Sequence, residues 1–288
     1  MDRGELQIAV GAQHPAAMPA RVAPAVVEVA GVRFQNMTEE QCVEHVVTEA
    51  AAGRGGWVVT PNLEILRQCV RDLGTRALVH AADLVVCDGT PIMLASHLQR
   101  TPLVGRVCGS NLIHSLPAAA AERGLSVYLL GGAPGTADET AEVLRQRHPT
   151  LRIVGTYCPP FGFESNAGEI AAMAEAIRAA RPQIIFVALS FPKGERLIQR
   201  IRPAAPQAWW VGVGISFSFA CGHVQRAPRW MQRSGLEWVH RLSQEPGRLA
   251  RRYLVQGLPF AAELAVRSTW RRFRPAGITR SQAAGPRA

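Results

Sequence analysis

Residues 126–136 read Ser-Val-Tyr-Leu-Leu-Gly-Gly-Ala-Pro-Gly-Thr. The apolar run Ser126–Leu130 enters a turn of small residues, and a helical pattern follows over Ala137–Arg147. A run without polar alternation is how a strand buried on both faces reads. The next such run is Arg152–Gly155, so the unit is strand, turn, helix, strand. The alternation extends both ways from there. Strands are expected at Trp57–Thr60, Leu84–Cys87, Ile184–Leu189 and Trp209–Val213. Helices are expected at Glu39–Ala51, Leu63–Leu73, Leu112–Arg123, Gly168–Ala180 and Glu195–Ile201. Strands alternating with helices imply an α/β fold, a mostly parallel sheet covered by helices. Ligands of such sheets bind at the carboxyl ends of the strands.

After Gly222 the pattern changes. No further strand is visible, and Arg229–Gln244, Gly247–Gln256 and Pro259–Arg274 read as helices set apart by Pro246 and Pro259. Proline suits a helix start and breaks an interior. The expected organisation is therefore a leader over residues 1–25, a core over 26–222, a helical appendage over 223–274 and a polar tail over 275–288. The leader, Met1–Ala25, is Ala/Pro-rich and lacks a basic-then-apolar signal pattern, so it reads as disordered and not secreted. The tail from Pro275 reads as disordered too.

Charge sharpens that division. The chain carries a net charge of +10, and from Gly222 onward thirteen Arg face three Glu, so the whole excess sits in the C-terminal quarter. Such a block attracts phosphates, nucleic acid or an anionic membrane; it also fits a merely solvated face. No apolar run reaches the roughly 18 residues of a transmembrane helix. Six cysteines without a CxxC pair read as reduced, buried thiols rather than a disulfide or zinc framework.

Candidate chemistry gathers at the strand ends. The first core strand runs into Thr60-Pro61-Asn62, then Glu64. Thr60 and Asn62 offer directional hydrogen bonds for sugar hydroxyls or an N-acetyl group; Asn62 equally suits the cap of the next helix. The second strand ends in Cys87-Asp88-Gly89-Thr90-Pro91. Asp88 is placed for a general base on a sugar hydroxyl, and partial burial would raise its pKa. Its other reading is an organiser of the Gly-Thr-Pro turn. Gly131 and Gly132 allow backbone N–H groups to approach a phosphate, or simply make a tight turn. The segment matches neither GxGxxG nor a P-loop, which counts against a nucleotide-binding oxidoreductase. There is no DxD and no metal-ligand spacing, so no metal and no cofactor is expected. A diphosphate leaving group would then rely on arginines or helix N-termini. Arg241, Arg248 and Arg251, at i, i+7 and i+10, lie near one helical face and can supply those charges. With Trp238, Leu242, Leu249 and Leu254 they also compose a surface for an anionic bilayer.

Several ordered motifs now align. Thr-Pro-Asn-Leu-Glu at Thr60–Glu64, Ala-Asp-Leu-Val-Val-Cys-Asp-Gly at Ala82–Gly89 and Leu-Leu-Gly-Gly-Ala-Pro-Gly at Leu129–Gly135 are joined by two C-terminal stretches. These are Arg-Ala-Pro-Arg-Trp-Met-Gln-Arg-Ser-Gly-Leu-Glu-Trp-Val-His-Arg-Leu at Arg226–Leu242 and Glu-Pro-Gly-Arg-Leu-Ala-Arg-Arg-Tyr at Glu245–Tyr253. From about Val26 to Phe260 the chain resembles the WecG/TagA/CpsF glycosyltransferases, a family that includes N-acetylmannosaminyltransferases. The resemblance implies a single Rossmann-like domain with the helical appendage. It also implies an inverting, metal-independent transfer of a hexose from a UDP-sugar to a polyprenyl-diphosphate-linked acceptor sugar, for cell-surface polysaccharide or teichoic-acid-type polymers. In that pattern Asp88 is the base, Thr60 and Asn62 share its pocket, and Arg241, Arg248 and Arg251 stabilise the diphosphate. Lys193 and Glu195 fall in its substrate-binding segment. The appendage would dock on the inner face of the cell membrane, placing the protein in the cytoplasm at the bilayer, with self-association open.

Two departures stand out. The family's Pro-Lys-Gln-Glu is here Pro192-Lys193-Gly194-Glu195, and an Asp expected near the sixth strand is replaced in Phe217-Ser218-Phe219-Ala220-Cys221-Gly222. Both bear on acceptor choice or activity. A nucleic-acid-binding role for the basic end finds no known motif and few aromatics there.

Overall fold

The computed structural model describes residues 24–273; the tail from Pro275, and all of the leader but its last two residues, lie outside them. Six strands form one parallel sheet: β3 Gly56–Val59, β4 Leu84–Val85, β5 Ser126–Gly131, β6 Arg152–Tyr157, β7 Ile184–Ala188 and β8 Trp209–Gly212. Their order is β4-β3-β8-β7-β5-β6, with every pairing parallel. The expected α/β fold and its strands are therefore present, although β4 closes two residues early. Side chains alternate between two apolar layers, as strand geometry requires. Trp57 and Trp210, register partners, face one layer; Val58, Trp209 and Val211 face the other.

Helices cover both layers. On the first lie α2 (Leu63–Arg71), α3 (Leu73–His80), α4 (Thr90–Leu98), α7 (Ala167–Ala180) and α8 (Lys193–Ile201). On the second lie α1 (Glu39–Ala51), α5 (Gly109–Glu122), α6 (Thr136–Arg147) and the short α9 (Ser216–Ala220). Full burial of residues such as Leu66, Leu112, Leu129 and Phe186 contributes roughly 1.5–3 kcal/mol each. Starts are written locally. Thr38 and Gln41 make a reciprocal capping box on α1, and the Asp72 carboxylate accepts from Gly74 and Thr75 at α3.

Helices α3, α4 and α9 were not expected, and neither was a hairpin. β1 (Val26–Val29) and β2 (Val32–Gln35) form an antiparallel hairpin that turns at Ala30 and Gly31, both with positive φ. That backbone matches the twist of hairpin strands. It sends Val27, Val29, Val32 and Phe34 into the first layer.

The C-terminal helices are more broken than their sequence implies. The stretch expected as one helix over Arg229–Gln244 is two, α10 (Arg229–Ser234) and α11 (Glu237–Gln244), parted at Gly235 with φ +76°. The next expected helix is α12 (Pro246–Ala250), continuing through a wide π-helical segment, Arg251–Gly257, into α13 (Leu258–Arg271). Phe260 and Leu264 of α13 are 2% exposed and belong to the first apolar layer, beside Ile92 and Ala95 of α4. The last helix is thus built into the core. Among the described residues, no helix is long and apolar enough to cross a membrane.

Candidate active site

The carboxyl ends of β3, β4, β7 and β8 open on one side of the sheet, and the loops that leave them bring the candidate residues together. Pro61 accepts from the Asp88 N–H at 3.1 Å, tying the loop after β3 to the loop after β4. Cys87 accepts from the Val107 N–H at 2.8 Å, which sets the approach to α5 beside them. Gly109, at the start of α5, abuts the end of β8: a Cβ there would stand 3.0 Å from the Val213 Cα.

Asp88 is only partly exposed at this junction. Burial pushes its carboxyl above the ordinary aspartate range. The Cys108 thiol, which hydrogen-bonds to it, and the Arg106 and Arg226 guanidiniums oppose that rise, whereas Glu237 adds to it. The thiol itself is strongly raised, first by burial and then by Asp88, so it stays protonated and donates. A carboxylate held in such surroundings keeps enough basicity to accept a hydroxyl proton.

Around Asp88 lies a charged network that the sequence reading missed. Arg226 donates from Nη2 to Asn111 Oδ1 at 2.7 Å and from Nη1 to the Ser110 carbonyl at 3.2 Å. Asn111 donates to Glu39 at 2.6 Å. Glu237 lies 3.6 Å from Arg226 Nε and 4.0 Å from Arg106 Nη1. Arg106 and Cys108 come from one stretch and Arg226 and Glu237 from another far along the chain, and only the packing of the segment around α10 and α11 over the β4 loop brings the two together. A Cβ on Gly235 would sit 2.7 Å from Thr90 Oγ1, so glycine is required for this close approach. The motif that carries Arg226 and Glu237 was the available signal, but the reading passed over both for the arginines further on.

The other candidates divide. Thr60 follows β3 directly and is partly exposed. Asn62 is the cap of α2: its Oδ1 accepts from the Glu64 and Ile65 N–H groups at 3.1 Å. The cap uses the amide oxygen alone and leaves the two Nδ2 donors outside it. Glu64 turns instead to Arg67 and Gln68 on its own helix, and Arg67 reaches Gln256 of the appendage at 3.2 Å.

Gly131 and Gly132 both have positive φ, and a Cβ on Gly132 would lie 2.3 Å from Thr136 Oγ1. The Gly132 N–H donates to the Ala188 carbonyl at 2.8 Å. Close packing explains these glycines, and this N–H is engaged within the sheet rather than presented to an anion.

Lys193 pairs with Glu164 and stands 5.5 Å from the centre of the Phe161 ring. Two residues on, Glu195 is 7% exposed, its Oε2 has no hydrogen-bond partner, and burial lifts its carboxyl to about 7. Its Oε1 lies against Gly212, the last residue of β8, where a Cβ would come within 3.2 Å. Gly194 packs on Leu189: its Cβ would meet the Leu189 carbonyl oxygen at 3.3 Å, so a longer side chain there requires the loop to shift by a few tenths of an ångström.

Of the three expected arginines, Arg241 and Arg248 share one acidic neighbour. Arg248 Nε donates to Glu245 at 2.5 Å, and both guanidiniums hold the Glu245 carboxyl below its ordinary range. Arg241 also lies 5.9 Å from the Phe219 ring of α9. Arg251 is exposed on the π-helical segment. The guanidiniums that reach the surroundings of Asp88 are those of Arg106 and Arg226. Among the described residues, no group of three or more His, Cys, Asp or Glu is placed to hold a metal ion.

Two comparisons bear on this site. A family model described as the glycosyl transferase WecG/TagA/CpsF family matches residues 27–274. A relative from Bacillus spizizenii, named N-acetylglucosaminyldiphosphoundecaprenol N-acetyl-beta-D-mannosaminyltransferase, is 34% identical over 198 residues, covering 69% of this chain and 75% of the relative.

Proposed function

The chain belongs to the WecG/TagA/CpsF glycosyltransferase family, and from that premise we propose that it moves N-acetylmannosamine, or a related hexose, from a UDP-sugar to a polyprenyl-diphosphate-linked N-acetylglucosamine. The observation that carries this reading is Asp88, a carboxylate with raised pKa at the carboxyl edge of the sheet, inside a chain that the family model spans almost throughout. The acceptor chemistry follows the name of the Bacillus relative.

In the proposed reaction Asp88 takes the proton of an acceptor hydroxyl. That oxygen forms a bond to the anomeric carbon while the bond from this carbon to the UDP oxygen breaks, and UDP leaves with the electron pair. A single displacement inverts the anomeric configuration. Thr60 and the Nδ2 donors of Asn62 orient sugar hydroxyls, with Gly131 and Gly132 as a close-fitting wall and Lys193 and Glu195 at its far side. Arg241, Arg248 and Arg251 neutralise the departing diphosphate, a preorganised electrostatic contribution, in place of a divalent metal.

The acceptor is held in a bilayer by its lipid, so the enzyme works as a peripheral protein at the inner face of the cell membrane. Support comes from the exposed Trp230, Leu254, Val255, Trp270 and Phe273 among the C-terminal arginines, a surface suited to anionic headgroups. The test is UDP release without divalent metal over a panel of UDP-sugars, with a polyprenyl-diphosphate-GlcNAc analogue as acceptor. Acceptor-dependent release from one donor supports the reading, and release that is independent of acceptor, or absent from every donor, overturns it.

A further inference from the structure

Glu237 makes two ion pairs and no hydrogen bond in either. Its carboxylate stands 3.6 Å from Arg226 Nε and 4.0 Å from Arg106 Nη1, both beyond good hydrogen-bond length. The three side chains are 20–24% exposed, so their charges are largely withdrawn from water. Arg226 Nε is itself buried without a partner, although the rest of that guanidinium is fixed on Ser110 and Asn111. A buried donor left unsatisfied carries a desolvation penalty that a fitting acceptor would remove. Two guanidiniums beside the two oxygens of one carboxylate, one of them with an orphan Nε–H, suit the several oxygens of a phosphate better than that carboxylate at arm's length.

The carrier of Glu237 is loosely held. It opens α11, a helix with no buried residue, which hangs from the Gly235 turn resting on Thr90. Displacing Glu237 therefore requires no disruption of the apolar layers.

We propose that Glu237 is a displaceable internal anion: it occupies, between Arg106 and Arg226, the place of a substrate diphosphate, and yields it when that diphosphate arrives. The exchange couples substrate entry to the position of α10–α11 and removes a negative charge from beside Asp88. The inference rests on the glycosyl-transfer reading, in which both donor and acceptor carry a diphosphate.

The experiment measures binding of UDP and, separately, of farnesyl diphosphate to the full chain by calorimetry, in wild type, Glu237→Gln, Arg226→Gln and the double variant. Removing the competing charge is expected to tighten at least one ligand by about tenfold. Arg226→Gln is expected to weaken the same ligand and to cancel the gain in the double variant. The ligand that tightens identifies the donor or the acceptor as the source. Glu237→Asp, which keeps the charge but shortens its reach, is expected to tighten that ligand by about threefold, and it decides the matter should Glu237→Gln lose its cooperative melt. Unchanged or weaker binding of both ligands in the folded variants overturns the proposal. Absence of UDP binding in wild type and variants alike tells against the UDP-sugar reading instead, while the farnesyl diphosphate arm still decides the role of Glu237.

Discussion

After Gly222 the chain meets the sheet core in several places, and two of these contacts are held by different forces. α13 is held by apolar packing: Phe260 and Leu264 enter the first layer against α4. α10 and α11 are held mainly by charge, through Arg226, Glu237 and Arg106 beside Asp88. A buried apolar side chain contributes roughly 1.5–3 kcal/mol, whereas in a largely desolvated ion pair held at 3.6–4.0 Å the cost of taking the charges out of water offsets their attraction, so the net contribution is small. The contact nearest Asp88 is therefore the weaker one. The difference teaches that position in sequence and strength of attachment are separate matters: the distal helix anchors, and the segment before it is left free to respond to ligands. Regions with few buried contacts open at low free energy, and elements that move on binding are drawn from them.

The largest expected effect lies at the centre of the charged contact. Asp88→Asn keeps the shape of the side chain but cannot accept a proton, and loss of the proposed general base is expected to lower transfer by about 10²–10⁴-fold. Stability near neutral pH should hold or rise, because the variant removes a carboxylate whose ionised form burial disfavours. UDP release and a thermal melt check the two halves. A variant with wild-type turnover would remove Asp88 from the mechanism.

The apolar contact is expected to answer in the opposite sense. Phe260→Ala empties a site in the first layer and should destabilise by about 3–5 kcal/mol, read as a lower urea midpoint. The protein that remains folded should turn over at close to the wild-type rate. If Phe260→Ala left stability unchanged but reduced turnover, the division between anchor and responsive segment would be wrong.

Glu195 extends the comparison to pH. Its folded carboxyl is raised to about 7 by burial, above the ordinary value of 4.5. Between these values the folded state binds a proton that the unfolded state has released. Stability is therefore full below about 4.5, falls as pH rises, and levels off above about 7, a loss of about 3 kcal/mol on linkage. Asp88, raised as well, adds a decline of the same sign. Glu195→Gln should flatten much of this slope between pH 4.5 and 7, seen as urea midpoints that vary less with pH than those of wild type. An unchanged slope would show that Glu195 keeps its charge in the folded state.

How far these contacts were legible follows from their chemistry. The sheet was readable because Ser126–Leu130, Ile184–Leu189 and Trp209–Val213 are continuous apolar runs. The β1–β2 hairpin was not, because its turn places Ala30 at φ 49°, where Asn, Asp or Gly would have signalled it. α4 was passed over because Gly89-Thr90-Pro91 reads as a turn, although proline in a first helical turn also starts a helix. Asp88 and Asn62 were visible as polar residues ending apolar strands. Arg106 and Cys108 were not, since nothing local distinguishes them; Arg226 and Glu237 lay inside a legible motif, but only tertiary packing shows that they reach the surroundings of Asp88. The basic C-terminal end was legible as charge, but charge alone did not separate the helix that anchors from the helices that lie over the site.

The smallest expected effect separates charge from packing within α13 itself. Besides its apolar face, the helix carries Arg271, whose Nη2 lies 2.9 Å from Glu28 Oε1 on the β1–β2 hairpin. The bond has good length, yet its side chains are 47% and 45% exposed. Water and salt screen such a pair, and holding two long side chains together opposes it entropically. A double-mutant cycle of Arg271→Ala and Glu28→Ala is expected to give a coupling of about 0.2–1 kcal/mol, falling further at high salt. If the cycle instead gave a coupling comparable to the loss in Phe260→Ala, charge would hold α13 as well as α11, and the contrast between the two contacts would fail.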